Sequence, residues 1–382
     1  MSSPRIALAA PDLGAAETAA VAACVESGFV SSVGPLVTEF EERFGEAVGR
    51  AHAVACSSGT AAIHLALAAL RVGPGSEVMV SDLTFIASAN PARYLGADVT
   101  LIDSERATWN LDPALVVDEL ERRAAAGERL PAAIVAVDLL GQPADLGELL
   151  VAARRHGVPV VEDASEALGA RWTSGPLGGR AVGRGGDVSC FSFNGNKLIT
   201  TGGGGMLVTD DPALARRARH LSKQAKVAGL AYRHDDVGYN YRLTNLAAAL
   251  GLAQLARLDE LLAKKRDIAA RYDAAFAQTA DLARPPDPVW SDRSSWLYTV
   301  LLGDEATRDR VCRSLNAGGI ECRPIWSPLH EQAPYARSPR VGTGVAENLG
   351  ARGLCLPSSA GLAPLDQDRV VAALEAALSH PD

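Results

Sequence analysis

Lys197 lies among small polar residues, just ahead of a run of four glycines, Gly202–Gly205. A solvated surface lysine does not need such a setting, whereas a lysine that forms an imine needs open space around it and a lowered pKa. A flexible surface loop is the alternative interpretation of this stretch. The pattern makes Lys197 a candidate catalytic nucleophile.

Asp163 ends the apolar run VPVVED (158–163), which has the length and composition of a buried strand. In an open α/β sheet, ligands bind at the carboxyl ends of the strands. A carboxylate there needs a partner, because an unpaired buried charge is unfavourable, and a protonated pyridine nitrogen would serve. Capping of a following helix is the alternative role.

The segment SSGT at 57–60 follows a strand pattern and opens a helix pattern. Free N–H groups at a helix N-terminus bind phosphate, helped by the helix dipole, and Gly59 would let a ligand approach the backbone closely. The alternative is an ordinary cap formed by Ser58 or Thr60. Ser192, shortly before the candidate lysine, could add a hydroxyl to the same phosphate site.

Phe85 follows another strand, where its ring could lie on a ligand ring, although core packing is the alternative. Asn240 and Arg242 are polar groups in an aromatic setting, for which a turn and a helix cap at Thr244 are the alternatives. Taken together, a phosphate-binding helix start, a strand-end carboxylate, a lysine in a Gly-rich loop and an aromatic ring suit an aromatic phosphate cofactor joined through an imine.

Alternating strand and helix patterns, from about residue 50 to 210, can bring these residues together. Short apolar runs between amphipathic stretches predict βαβ units and a mostly parallel sheet. A long helical pattern follows residue 244, and a Pro-rich stretch at 283–295 precedes further strands and helices. We therefore predict an α/β large domain over residues 1–250, and a long helix with a smaller α+β domain over 251–382.

The composition argues against several functional classes. A net charge of −8 and a pI near 5.5 disfavour nucleic acid or an anionic membrane as the main partner. No apolar run approaches the roughly 20 residues of a membrane span, and no signal peptide is visible, so we expect a cytoplasmic protein. The six scattered cysteines form no C-x-x-C pair, which predicts free thiols and no metal site.

The residues above, together with eight motifs between residues 29 and 335, resemble the DegT/StrS-type sugar-nucleotide aminotransferases, a family with the fold-type I architecture that uses pyridoxal phosphate (PLP). The resemblance covers about residues 6–375. The resemblance implies a three-layer large domain around a mostly parallel sheet. SFNGNK followed by ITTGGGGM is most similar to the branch acting on UDP-4-keto-6-deoxy-N-acetylhexosamines. The motifs are FVSSVGPLVTEFEERF (29–44), SSGTAAIHLAL (57–67), TFIASANP (84–91), GQPADL (141–146), VEDASEALGA (161–170), CFSFNGNKLITTGGGGMLVT (190–209), GYNYRLTNLAAALGLAQL (238–255) and RPIWSPLHEQAPY (323–335).

The resemblance also implies roles for the residues that would bind the cofactor. Lys197 matches the lysine that forms the imine with PLP. Asp163 matches the acid that pairs with the pyridinium nitrogen, and Phe85 matches the aromatic residue stacked on the PLP ring. The phosphate-binding group is matched by Ser58, Gly59, Thr60 and Ser192.

Other matches concern the substrate and the assembly. Asn240 matches a residue that reaches the PLP phosphate of a partner subunit, so the resemblance implies a homodimer with shared active sites. His330 matches a histidine on a loop near the sugar nucleotide, and a surface loop histidine is the alternative. We expect Tyr232 and Arg242 to contact substrate as well.

Two positions depart from the common family pattern. Glu166 stands where many members have Gln, facing the phenolic oxygen of the cofactor. A carboxylate beside an oxyanion is unfavourable unless one of the two is protonated, although the UDP branch also tends to carry Glu. At 138–142 the chain reads DLLGQ where many members read HLYGQ, which removes a His and a Tyr from the neighbouring substrate contacts.

The implied reaction moves an amino group from L-glutamate to a keto-sugar nucleotide, with UDP-4-keto-6-deoxy-N-acetylhexosamine as the expected acceptor. A GDP- or TDP-linked keto-sugar or a keto-cyclitol is the alternative acceptor. Related 3-dehydratases carry His at the position of Lys197, so the lysine favours amino transfer. A regulator that binds PLP or a sugar nucleotide is a remote alternative, which would predict a basic face or a helix-turn-helix module.

Overall fold

The computed structural model describes residues 5–379 of the 382-residue chain. The strands, numbered along the chain, are β1 (His52–Cys56), β2 (Glu77–Ser81), β3 (Asp98–Ile102), β4 (Ala133–Val137), β5 (Val160–Asp163), β6 (Arg171–Trp172), β7 (Val188–Ser192), β8 (Gly205–Thr209), β9 (Ser291–Asp292), β10 (Tyr298–Leu301), β11 (Arg323–Pro324), β12 (Arg340–Val341) and β13 (Gly353–Leu356).

The α-helices are α1 (Ala15–Glu26), α2 (Pro35–Val48), α3 (Gly59–Ala69), α4 (Asn90–Tyr94), α5 (Pro113–Ala126), α6 (Gly147–Arg155), α7 (Pro212–Leu221), α8 (Asn245–Leu255), α9 (Leu258–Ala275), α10 (Glu305–Ala317), α11 (Val345–Arg352) and α12 (Pro364–Ser379). The apolar runs that predict strands between residues 50 and 210 lie at 51–56, 77–82, 98–103, 132–138, 158–163, 187–193 and 205–210. All of them are present as strands, with ends that differ by one or two residues.

The central sheet has eight strands in the order β1-β8-β7-β5-β4-β2-β3-β12. Only β8 runs antiparallel to its neighbours, β1 and β7. Gly205 at the start of β8 therefore lies beside Cys56 and Ser192, which end β1 and β7. As a result, the carboxyl ends of β1, β2, β5 and β7 and the amino end of β8 share one edge, where ligands bind in open α/β sheets.

Helices cover both faces of this sheet. Along β1, Ala53 and Ala55 point into one core while Val54 and Cys56 point into the other, as the two-residue period of a strand requires. The first core is closed by α2, α5 and α6, and the second by α3, α4 and α7. The predicted α/β fold class, with three layers around a mostly parallel sheet, is confirmed.

The C-terminal part builds a smaller antiparallel sheet, β10-β13-β11, against α9, α10 and α12. Two short strands of this part pair elsewhere, because β12 extends the central sheet beside β3 and β9 pairs with β6. The predicted division of the chain at residue 250 therefore stays a prediction.

The long helix predicted after residue 244 is two helices, α8 and α9. The chain leaves helical geometry at Arg257 (φ −104°, ψ 7°), whose guanidinium binds Glu17 at 2.9 Å and Asp12 at 3.0 Å. These ion pairs tie the junction to the N-terminal segment. Among residues 5–379, no helix combines the length and the apolar character that a bilayer crossing requires.

Candidate active site

The loop between β1 and α3 carries the predicted phosphate-binding residues. Ser58 caps α3, since its Oγ accepts a hydrogen bond from the Ala61 N–H at 3.0 Å. The cap leaves the N–H groups of Gly59 and Thr60 at the open start of the helix, where an anion is favoured. A Cβ on Gly59 would lie 2.8 Å from the Cβ of Ser192, so glycine is what lets this turn pack against β7.

Asp163 is buried at the carboxyl end of β5 and faces a cavity. Its Oδ2 accepts a hydrogen bond from the Ser88 hydroxyl at 2.7 Å, and its Oδ1 accepts one from the Ser165 N–H at 3.1 Å. A carboxylate has about four lone-pair sites, so two accepted bonds leave room for a further N–H donor. These two donors orient Asp163 and leave an acceptor site for the N–H of a pyridinium.

Lys197 lies in the loop between β7 and β8, and only 13% of its side chain is exposed. Its Nζ is 3.8 Å from Oε1 of Glu166 and 3.7 Å from the centre of the Trp296 ring. Desolvation lowers the pKa of Lys197, while Glu166 and Asp163 oppose that shift. The burial therefore favours the neutral amine, which is the form that attacks a carbonyl carbon.

Glu166 is buried beside Lys197 and accepts a hydrogen bond at Oε2 from the Leu140 N–H at 2.7 Å. Leu140 adopts the left-handed region (φ 58°), which is uncommon for a residue with a branched side chain. Desolvation raises the pKa of Glu166, and the nearby Lys197 partly opposes this. A protonated Glu166 is thus easier to populate than a surface glutamic acid, which would relieve its predicted conflict with an oxyanion.

A cavity of about 320 Å³ lies between these groups, and its walls are partly aromatic. Phe85 is 53% exposed, so it faces the cavity and does not pack in the core. Its ring centre lies 5.4 Å from that of Trp326, and Trp296 completes this wall. The residues that line the cavity include Ser58, Gly59, Thr60, Asp163, Ser192 and Lys197.

The chemistry of this donor set fits PLP. The helix start and the Ser192 hydroxyl suit a phosphate, and Asp163 retains an acceptor site for a protonated ring nitrogen. Phe85 offers a ring face, and Lys197 offers a buried amine whose pKa is lowered. Apart from Asn240, each predicted cofactor residue therefore borders one cavity, although these residues come from loops up to 139 positions apart, Ser58 to Lys197.

The residues predicted to contact substrate or a partner subunit do not border this cavity. Tyr232 is 84% exposed, and Asn240 is exposed on a segment bridged to Lys223. The backbone of Arg242 pairs with Cys56. His330 is bound through Nδ1 to Oδ2 of Asp82 at 2.6 Å. The roles predicted for these four residues, in binding substrate or a partner subunit's cofactor, therefore stay predictions.

Several residues of the site were not identified from the sequence. Ser88 and Ser165 orient Asp163, and Leu140 binds Glu166 through its backbone. Trp296 and Trp326 form walls of the cavity. A partial signal existed, because Ser88, Ser165, Leu140 and Trp326 lie in or beside quoted motifs, whereas nothing in the sequence around Trp296 distinguishes it from a strand residue.

The family model for the DegT/DnrJ/EryC1/StrS aminotransferase family matches residues 11–375. The GDP-perosamine synthase of Caulobacter vibrioides is 43% identical, over 98% of this chain and 99% of that protein. The GDP-perosamine synthase of Escherichia coli O157:H7 is 36% identical, over 91% and 92%. The crystal structure of the aminotransferase TlmJ from Streptoalloteichus hindustanus superposes with a TM-score of 0.88 at 32% identity, over 98% and 99%.

Proposed function

Because the chain belongs to the DegT/DnrJ/EryC1/StrS aminotransferase family, whose members depend on PLP, we propose that it transfers an amino group from L-glutamate to a GDP-linked keto-sugar. The observation that carries the reaction class is Lys197, a buried amine beside Glu166 on the cavity that Asp163 also borders. The observation that carries the nucleotide is the 43% identity, over nearly the whole chain, to a GDP-perosamine synthase.

The GDP-linked acceptor replaces the UDP-linked sugar that the SFNGNK motif predicted. That motif lies in the loop of Lys197, which borders the cavity and therefore bears on the cofactor site more than on the acceptor. Two relatives named as GDP-perosamine synthases, each similar over nine-tenths of this chain or more, support the GDP-linked alternative better. Similarity over the whole chain also covers the regions that contact an acceptor, whereas similarity in the cofactor loop alone does not.

PLP supplies an electron sink and a carbonyl carbon on which the amino group is carried from one substrate to the other. In this chain, Asp163 would hold the proton of the ring nitrogen, and the start of α3 with Ser192 would bind the phosphate. Lys197, released as a neutral amine, would move the proton between the two carbons that react. Glu166 lies near enough to Lys197 to stabilise its ammonium form after it accepts a proton.

Lys197 is the only cation among the residues that line the cavity, all of which belong to the described part of the chain. The diphosphate of a sugar nucleotide carries two or more negative charges and needs other donors. The proposal therefore puts the nucleotide outside the cavity, near the exposed segment that carries Asn240 and Arg242. A homodimer, in which that segment meets a partner's site, is part of the same proposal.

The test is spectroscopic and uses the purified protein with PLP. L-Glutamate should remove the visible absorption band of lysine-linked PLP, and a GDP-linked 4-keto-6-deoxy sugar should restore it. UDP- and TDP-linked 4-keto-6-deoxy sugars are the matched comparisons. If a UDP-linked sugar alone restored the band, the proposed GDP-linked acceptor would be wrong and the UDP-linked acceptor expected from the sequence would be right. A band that glutamate leaves unchanged would overturn the donor.

A further inference from the structure

Trp296 is a buried residue that contacts the reacting amine of the site. Its ring lies 3.7 Å from Nζ of Lys197, and its indole N–H donates a hydrogen bond to the Asn196 carbonyl at 2.7 Å. The Trp296 side chain therefore contacts both the backbone of the residue before Lys197 and the Nζ amine of Lys197. An aromatic face at this distance attracts an ammonium group and packs against the methylene chain of a neutral lysine.

The backbone around Trp296 is held in an unusual conformation. Ser295, the preceding residue, lies in the left-handed region (φ 53°) although it is not glycine. Gly141 (φ 95°) approaches so closely that a Cβ there would lie 2.7 Å from the Trp296 nitrogen. Such backbone strain persists only where the surroundings determine the position, and it is concentrated at functional sites.

Lys265 also holds the backbone of Trp296 in place. It is a buried residue of α9, 4% exposed, and its Nζ donates a hydrogen bond to the Trp296 carbonyl at 2.6 Å and another to the Ser358 carbonyl. Desolvation lowers the pKa of Lys265 to about 7, and among residues 5–379 no carboxylate forms an ion pair with it. A lysine placed there without a counter-ion is unfavourable for stability, which calls for another reason for its presence.

We propose that Trp296 is a catalytic residue that holds the free amine of Lys197 in its working position, and that Lys265 is a positioning residue that acts through the Trp296 backbone. The contact matters whenever Lys197 is not joined to the cofactor, because four rotatable bonds would otherwise let the amine leave the reacting carbons. This inference concerns the lysine and the cofactor only, so it does not depend on which sugar nucleotide is the acceptor.

The test compares Trp296→Leu, Trp296→Phe and the control Trp290→Leu, which removes a tryptophan outside the cavity. Two rates are measured: the appearance of the lysine-linked PLP band in cofactor-free protein, and the loss of that band with L-glutamate. We expect Trp296→Leu to slow both by about 10²-fold, the effect of a displacement of about 1 Å. Trp296→Phe, which keeps a ring face, should retain most of each rate, and Trp290→Leu should retain all of it.

Lys265→Met is compared with Lys264→Met, the neighbouring surface lysine on the same helix. Lys265→Met should slow the glutamate reaction by about tenfold, leave its KM within about twofold, and not lower the melting temperature. The double variant Trp296→Leu with Lys265→Met should be no slower than Trp296→Leu alone, because Lys265 acts only through the contact between Trp296 and Lys197, which Trp296→Leu already removes. Multiplied effects would overturn the positioning role. Band formation at the wild-type rate in Trp296→Leu would overturn the catalytic one.

Discussion

Lys197 and Lys265 are two buried lysines whose pKa values are both lowered by desolvation, to about 7 for Lys265. Lys197 lies in a Gly-rich loop on the wall of a cavity, facing the carboxylate of Glu166. Lys265 lies in the middle of a helix, sealed against two backbone carbonyls. A lowered pKa therefore does not mark a catalytic lysine. The features that do so are open volume beside the amine and carboxylates that can receive or return a proton.

The largest expected difference between the two lysines concerns the covalent link to the cofactor. Lys197→Ala should abolish the visible band of lysine-linked PLP and lower kcat by at least about 10³-fold, since it removes both the nucleophile and the proton carrier. Lys265→Met should keep the band. The absorption spectrum and the steady-state rate of each variant measure this. A Lys197→Ala protein that still forms the band would disprove the assignment.

The carboxylates on the cavity provide the second contrast, because none faces Lys265. Asp163→Asn keeps the shape and the acceptor oxygen for Ser88 but removes the charge that would hold a ring proton. We expect kcat to fall by about 10²-fold, with PLP still bound through its phosphate. Asp145→Asn, outside the cavity, is the control. If Asp163→Asn kept the wild-type kcat, the pairing of Asp163 with the ring nitrogen would be excluded.

Replacement of Lys265 should affect the stability of the protein more than its reaction rate, and the effect should depend on pH. The pKa of Lys265 falls from 10.5 in the unfolded chain to about 7 in the folded protein, so the unfolded state binds the extra proton between these values. Wild-type stability should therefore rise with pH from about 7 to 10.5, and Lys265→Met should lack this rise. The free energy of unfolding in urea should favour the variant increasingly as pH falls, by on the order of 4 kcal/mol at pH 7 relative to pH 10.5. A pH-independent difference would exclude a neutral buried amine.

The smallest expected effect tests how Glu166 acts on Lys197. Glu166 raises the pKa of Lys197 against desolvation, so Glu166→Gln should lower that pKa further. The neutral amine would then persist to lower pH. In cofactor-free protein, the acidic limb of the rate at which the lysine-linked PLP band appears should move down by up to about one pH unit. Glu119→Gln on helix α5 is the control for loss of a carboxylate. Movement of the limb to higher pH would show that Glu166 acts in another way.

Prediction from sequence succeeded best where local pattern and chemistry coincide. Asp163 ends an apolar strand and Lys197 precedes four glycines, so residue type and position together indicated a role. Trp296 and Lys265 offered no such signal, because one reads as a strand residue and the other as a charge on an amphipathic helix. Their significance comes from contacts over 99 and 31 positions of the chain, Trp296 with Lys197 and Lys265 with Trp296.

The sequence by itself determined the alternation of strands and helices, the residues at the strand ends and the chemical character of the cofactor site. It could do so because hydrophobic period, glycine and strand-end polar groups act over a few residues. Only the tertiary structure decided that β8 runs antiparallel, that Phe85 faces a cavity, and that Lys265 supports Trp296. Those features depend on which distant surfaces pack together, and packing follows from the summed burial of the whole chain.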